Sequence, residues 1–205
     1  MLYFLIISIT MFICVLMAVI ASLSGAMPLW YAITAPFLVN FYAITVLGIV
    51  CLIMRLLPKS LWNYKRKRFY VSKKEVEFYD KVLHIKKWKE KVPEKGSIAG
   101  FPKDKIRSLE EPYLAKFLQE NCFAESMHFI GGLMGFTVLL FLKKSNYFFA
   151  IPILIVNFIL NIMPSIIQRF NRYRLAKIYE NVKVRNASQL QEQEQFEDDE
   201  SLKAY

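Results

Sequence analysis

Not one charged residue precedes Arg55 in this 205-residue chain. A secretory leader carries basic residues ahead of its apolar stretch, so the uncharged run from Leu2 to about Ser24 predicts a retained transmembrane helix. Cysteine is scarce: Cys14, Cys51 and Cys122 are all there are, two of them inside apolar runs. None makes a C-x-x-C or a metal-type spacing, which predicts neither a disulfide nor a metal site. Two histidines, His84 and His128, are too few for a His-rich metal centre. The G-x-S-x-G elbow, the P-loop and G-x-G-x-x-G are absent, and with them the signatures of α/β-hydrolases and of nucleotide and dinucleotide sites. Nucleic-acid module signatures are missing too, so no nucleic-acid partner is expected.

What is present is apolar and clustered. Hydrophobic residues make up 55% of the chain, aromatics 15%, and mean hydropathy is +0.30. Such blocks predict an all-α integral membrane protein with about four transmembrane helices. Residues 1–57 hold the first two, the second running from Pro28 to about Leu57 and expected to tilt or kink near Pro36. Residues 58–108 form a basic region, with KRKR at Lys65 to Arg68 and IKKWKEK at Ile85 to Lys91. Alternation in RFYVSKK and VLHIKKWK predicts a short strand or hairpin there, so this region reads as partly β or irregular. Residues 109–180 carry the third and fourth helices, joined by a tight turn at Lys143 to Asn146. The third spans comfortably only if it enters the bilayer near Phe123, which puts Glu125 and His128 at the boundary. Residues 181–205, rich in Gln, Glu and Asp, read as a disordered tail.

The net charge of +10 is concentrated between the apolar blocks. By the positive-inside rule the basic region and the QRFNRYRLAK end are both cytoplasmic, in a multi-pass protein of the cell membrane. That charge suits an anionic leaflet or a phosphate-bearing ligand.

Polar residues in the last two helices recur at helical spacing. Asn121, Glu125 and His128 share a face, and a carboxylate beside an imidazole holds the ring in one tautomer and raises its basicity, as a general base requires. The same spacing fits an interfacial helix start whose polar groups touch headgroups. Asn157, Asn161, Pro164, Gln168 and Arg172 form a stripe on the fourth helix. Carboxamides there either bind a headgroup, stabilise an oxyanion or bond neighbouring helices. Arg169, Arg172 and Arg174 fork onto phosphates or carboxylates, or anchor the helix end. Gln168 and Asn171 within that cluster favour a site, since neither adds positive charge. Trp88, an indole among lysines, either docks the basic region onto the bilayer or lines a groove for an anionic ligand.

Three stretches carry a resemblance: IKKWKEKVPEKG (Ile85 to Gly96), ENCFAESMHF (Glu120 to Phe129) and NIMPSIIQRFNRYRL (Asn161 to Leu175). In order and spacing they resemble the blocks of the glycosyl-4,4'-diaponeurosporenoate acyltransferases of staphyloxanthin-type carotenoid biosynthesis, over about Arg68 to Tyr179. Phe123 stands where that family usually has Arg, Phe129 where it has Trp, and Tyr173 where it has Pro. The resemblance implies transfer of a fatty acyl group onto a sugar hydroxyl of a membrane glycolipid. His128 would be the base and Glu125 its orienting partner. Gln168, Asn161 or an arginine would face the oxyanion, and Arg169, Arg172 and Arg174 the phosphates of acyl-CoA or acyl carrier protein. No permanently bound cofactor is expected. Two other readings remain open at this point: a small multi-span methyltransferase or reductase-like enzyme, and a non-enzymatic membrane scaffold tethered to anionic lipid.

Overall fold

The computed structural model describes residues 2–92, 101 and 105–203. Helix α1 (Leu2–Leu23) ends in a turn at Gly25, whose φ of +78° glycine adopts without a Cβ clash, and α2 (Leu29–Leu56) leads away from it. Although Pro36 removes one ladder hydrogen bond, α2 is a single continuous helix and no re-entrant loop forms. Its 28 residues give about 42 Å of rise, more than a bilayer core of about 30 Å requires. Helix α5 (Glu111–Met134) continues as a 3₁₀ segment (Gly135–Leu140), a turn follows at Lys144–Asn146, and α6 runs over Tyr147–Lys203. Among the described residues, four helices are therefore long and apolar enough to cross a membrane, the pattern of a multi-pass membrane protein.

Small residues let these helices approach closely. Ala18, Ala32, Ala35, Ala43 and Ala150 are buried where α1, α2 and α6 meet, around Phe149, Ile153 and Leu154. With no hydrophobic drive between helices in lipid, van der Waals packing of this kind is what holds them. Phe4, Phe12, Phe41 and Leu52 stay exposed and form the outward, lipid-compatible surface. Gly131 and Gly132 complete the seams of α5. A Cβ on Gly131 would lie 2.3 Å from Leu47 Cδ1 of α2, and one on Gly132 would lie 3.1 Å from Asn161 Cβ of α6.

The basic region departs from expectation. Among the described residues no strand forms; α3 (Lys73–Lys81) and the short α4 (Ile85–Trp88) take the place of the hairpin. The reason is local. Ser72 caps α3 by accepting from the Glu75 N–H at 3.2 Å, so S-K-K-E is the start of a helix. His84, at φ 48°, then separates α3 from α4. The tail differs as well, because α6 continues as helix through Lys203 where the composition predicts disorder. Gln, Glu and Lys are good helix formers, and extending an existing helix avoids the nucleation cost.

At this basic end the aromatic core of Trp62, Phe69 and Phe123 packs between α2 and α5, with Trp62 and Phe123 edge to face at 5.6 Å. Arg55 lies 4.0 Å over the Phe123 ring and pairs through two bonds, at 2.8 and 3.0 Å, with Glu120. Phe123 thus supplies a cation-binding face to Arg55.

Candidate functional site

The contact between α5 and α6 carries two polar groups of different character. In the first, His128 Nδ1 lies 3.1 Å from Oδ1 of Asn161. Asn161 Nδ2 in turn donates to the backbone carbonyl of Asn157 at 2.9 Å and to Asn157 Oδ1 at 3.0 Å. Asn161 is buried and His128 half-buried. Their approach depends on Gly132, one turn from His128, which presents no side chain to Asn161.

The second group lies one to three turns nearer the basic end and is built from charges. Glu125 Oε1 accepts from Arg169 Nη1 at 2.8 Å, and its Oε2 lies 2.5 Å from Arg172 Nη2. Arg169 also holds Glu75 of α3 through Nε at 2.6 Å and Nη2 at 3.1 Å, and donates to the carbonyls of Arg68 and Tyr70. Arg172, only 1% exposed, donates from Nε to Asn121 Oδ1 at 2.7 Å and from Nη1 to the Phe69 carbonyl at 3.0 Å. Asn121 Nδ2 donates to Gln168 Oε1 at 2.5 Å, and Ser165 Oγ to the Glu125 carbonyl at 3.2 Å. Two carboxylates thus face two guanidiniums, and α3, α5 and α6 are tied together by a cage with no net charge. A buried pair of this kind is strongly destabilising to break, since the surviving charge stays in a dry site.

Glu75 sits outside the membrane-spanning segments. Burial by itself pushes its carboxyl up, but hydrogen bonds from Arg169 and Tyr79 outweigh this and hold it below the ordinary carboxylate range. Tyr79, whose hydroxyl donates to Glu75 at 2.6 Å, is pushed up to about 12 by burial and by that bond.

Several expectations change. Both oxygens of Glu125 are engaged by arginines, and the partner on Nδ1 of His128 is Asn161. Arg172 is enclosed by Asn121, Phe69 and Glu125, so no edge of its fork faces a phosphate. The fork of Arg169 is filled by Glu75. Arg174 alone of the three is exposed. Asn161 uses both Nδ2 hydrogens on Asn157 and so has none for an oxyanion. Gln168 and Asn171 are half-buried on the same helix. Seven residues from Asn161 to Gln168 amount to about 10 Å of rise, too far to share one tetrahedral carbon with His128. The Trp88 indole N–H donates to the Leu83 carbonyl at 2.8 Å, which turns it inward on its own segment. A groove of about 660 Å³ does exist at the basic end, lined by Leu109, Glu111, Pro112, Tyr179, Val182 and Arg185 among others. It touches neither polar group, and we assign the site to the seam, where the titratable and amide groups converge.

Reasoning from the sequence misses Glu75 and Tyr79. The S-K-K-E cap is a readable sign of the helix that carries them, but nothing in the sequence pairs Glu75 with a residue 94 positions away.

The fold and this polar seam define a helical, multi-pass membrane protein with its candidate chemistry between the last two spans. Residues 58–181 match the glycosyl-4,4'-diaponeurosporenoate acyltransferase family, and the chain belongs to that family. It is thereby grouped with acyltransferases of carotenoid biosynthesis. The matched segment includes every residue of both polar groups, whereas α1 and α2 lie outside it. No curated protein matches the chain, and no solved structure does either.

Proposed function

We propose that this protein moves a fatty acyl group from a cytosolic thioester, acyl-CoA or acyl carrier protein, onto a sugar hydroxyl of a membrane glycolipid. A glycosylated carotenoid acid, or a related glycolipid, is the acceptor. The observation that carries the reading is a histidine at the polar seam of the segment matched to the acyltransferase family.

His128 takes the proton from the sugar hydroxyl as that oxygen bonds to the thioester carbon. The tetrahedral oxyanion then collapses, the C–S bond breaks, and the leaving thiolate takes the proton back from the imidazolium. The products are an ester and a free thiol, so no outside reagent is required. The donor meets the exposed cations of the basic end, Lys65 to Arg68 and Arg174, which suit the phosphates of either carrier. Gln168 and Asn171, half-buried on the same helix as Arg174, are assigned to binding substrate there. The positive charge of this end supports a place on the cytoplasmic face of the cell membrane. Glu125, Arg169 and Arg172 are given the task of holding α5 and α6 in register around the histidine.

The test is transfer of labelled acyl groups from acyl-CoA and from acyl carrier protein to a glucosylated carotenoid acid in isolated membranes. Labelled ester is expected, and His128→Ala should lower its rate by roughly 10²–10⁴-fold at equal protein level. Near-normal turnover by that variant would end the assignment of the base.

A further inference from the structure

We infer that Asn161, fixed by Asn157, is the positioning residue that selects the tautomer of His128 and so decides which ring nitrogen is basic. The inference rests on the acyl-transfer reading for its functional meaning, but its structural content stands on the hydrogen bonds alone.

The chain of contacts starts at Asn157. A primary amide has two N–H donors at one end and an acceptor oxygen at the other. Asn161 Nδ2 faces two acceptors on Asn157, the main-chain carbonyl at 2.9 Å and Oδ1 at 3.0 Å. Reversing the amide would set its oxygen 2.9 Å from the main-chain carbonyl oxygen of Asn157, a repulsion that no turn of the Asn157 side chain relieves, so the carboxamide has one satisfied orientation. That orientation turns Oδ1 to His128, at 3.1 Å from Nδ1. An oxygen there accepts only, so a neutral imidazole must carry its hydrogen on Nδ1 and its lone pair on Nε2. When Nε2 takes up a proton, the Nδ1–H bond to Asn161 is kept, and nothing has to reorganise during the transfer.

The chemical class of the partner matters too. A carboxylate at position 161 would also accept from Nδ1–H, yet it would add a charge inside a membrane-spanning helix, where charges are costly. The amide gives the directional half of that arrangement without the charge. Close packing supports it: Asn161 is 8% exposed, and Gly132 leaves the space in which it meets the ring. The role is one of positioning, since Asn161 acts through His128 and needs no contact with substrate.

With only two histidines in the chain, the tautomer can be read directly. Protein labelled with ¹⁵N-histidine and reconstituted in lipid bilayers gives two imidazole patterns, and His84→Gln removes one of them. At a pH where the ring is neutral, His128 should show Nδ1 protonated and Nε2 unprotonated. In Asn161→Leu the pattern should shift toward Nε2–H, the form an unconstrained neutral histidine side chain prefers. Asn157→Leu, which removes one of the two anchors, should shift it partly. Turnover should follow, with kcat down about 10- to 100-fold in Asn161→Leu and KM for the donor within about 2-fold, a part of the general-base contribution. Asn161→Asp, which keeps the acceptor oxygen, should recover more activity than Asn161→Leu. An Nε2–H ring in the unmodified protein, or an Nδ1–H ring that persists in Asn161→Leu, overturns the inference. Because the spectrum of the unmodified protein can overturn it without any variant, poor folding of a variant leaves the test intact. The acyl-transfer reading fails by a separate result, unchanged turnover of His128→Ala, whichever tautomer is found.

Discussion

The two halves of the α5–α6 seam solve the same problem with opposite chemistry. Farther from the basic end, His128, Asn161 and Asn157 form a hydrogen-bonded relay of two amides and one imidazole. Toward the basic end, Glu75, Glu125, Arg169 and Arg172 form a cage of full charges that cancel. The difference is one of task. Polarity at the relay is carried by neutral groups joined by hydrogen bonds, which avoids the cost of a permanent charge between spanning helices. In the cage, opposite charges are matched, and they tie together helices that propensity alone would leave independent. The relay is suited to moving a proton, and the cage to holding a geometry.

The contrast can be broken most severely at Arg172. Arg172→Ala leaves Glu125 facing Arg169 alone and empties a site that is 1% exposed. A loss of about 3–5 kcal/mol is expected, seen as failure to accumulate or as a sharply lower melting midpoint in detergent. Next in size, Glu125→Gln keeps the shape but removes the charge that both arginines share. It should cost about 1.5–3 kcal/mol, with turnover falling only as far as folded protein does. A collapse of kcat in well-folded Glu125→Gln would move this residue from the cage into the chemistry.

Gly132→Ala probes the relay in a graded way. Its new Cβ would lie 3.1 Å from Asn161 Cβ and 3.2 Å from Phe158 Cδ2, so α6 must yield by a few tenths of an ångström. The expected stability cost is about 1 kcal/mol, with a several-fold fall in kcat because the His128–Asn161 bond is stretched. A matching substitution in the cage, by contrast, should move melting more than rate.

The pH response of α3 separates the cage from the relay. Glu75 has a carboxyl held below its ordinary range, so its stabilising contribution is complete above that range and is lost as pH falls through the depressed value. Tyr79 contributes in the other direction, present below the ordinary phenol range and lost as pH rises through about 12. Protection of α3 amides should therefore be flat across neutral pH, fall in acid and fall again as pH approaches about 12, and Glu75→Gln should abolish the acid limb. Smallest of all, Arg174→Ala should leave stability within about 0.5 kcal/mol while raising the KM for the donor. An unchanged KM would remove Arg174 from the donor path.

Much of the molecule is legible in the residues. Four apolar runs give four helices long enough to span; the first two end within a few residues of the expected bounds, whereas the last runs on past its apolar stretch to Lys203, and the Lys143 to Asn146 turn lies where the sequence predicts it. Periodicity puts Glu125 and His128 on one face of α5, and Asn157, Asn161 and Gln168 on one stripe of α6. It does not say which residues pair. The alternation in RFYVSKK points to a strand, yet S-K-K-E is the stronger local signal. A cap fixes where a helix starts, while two or three alternating residues are compatible with several conformations.

By itself the sequence determined the spans, the concentration of positive charge at one end and the family, because each depends on composition or on short ordered blocks. Only the tertiary structure decided that Glu125 belongs to the arginines and His128 to Asn161. A carboxylate three residues from an imidazole can turn to either neighbour, and the choice is made by what the facing helix presents at that height. Here α6 presents Asn161 beside Gly132 and two guanidiniums nearer the basic end, so opposite charges meet where burial makes an unpaired one most costly. The imidazole Nδ1 meets a neutral amide, whose orientation is set by Asn157 one turn away on α6.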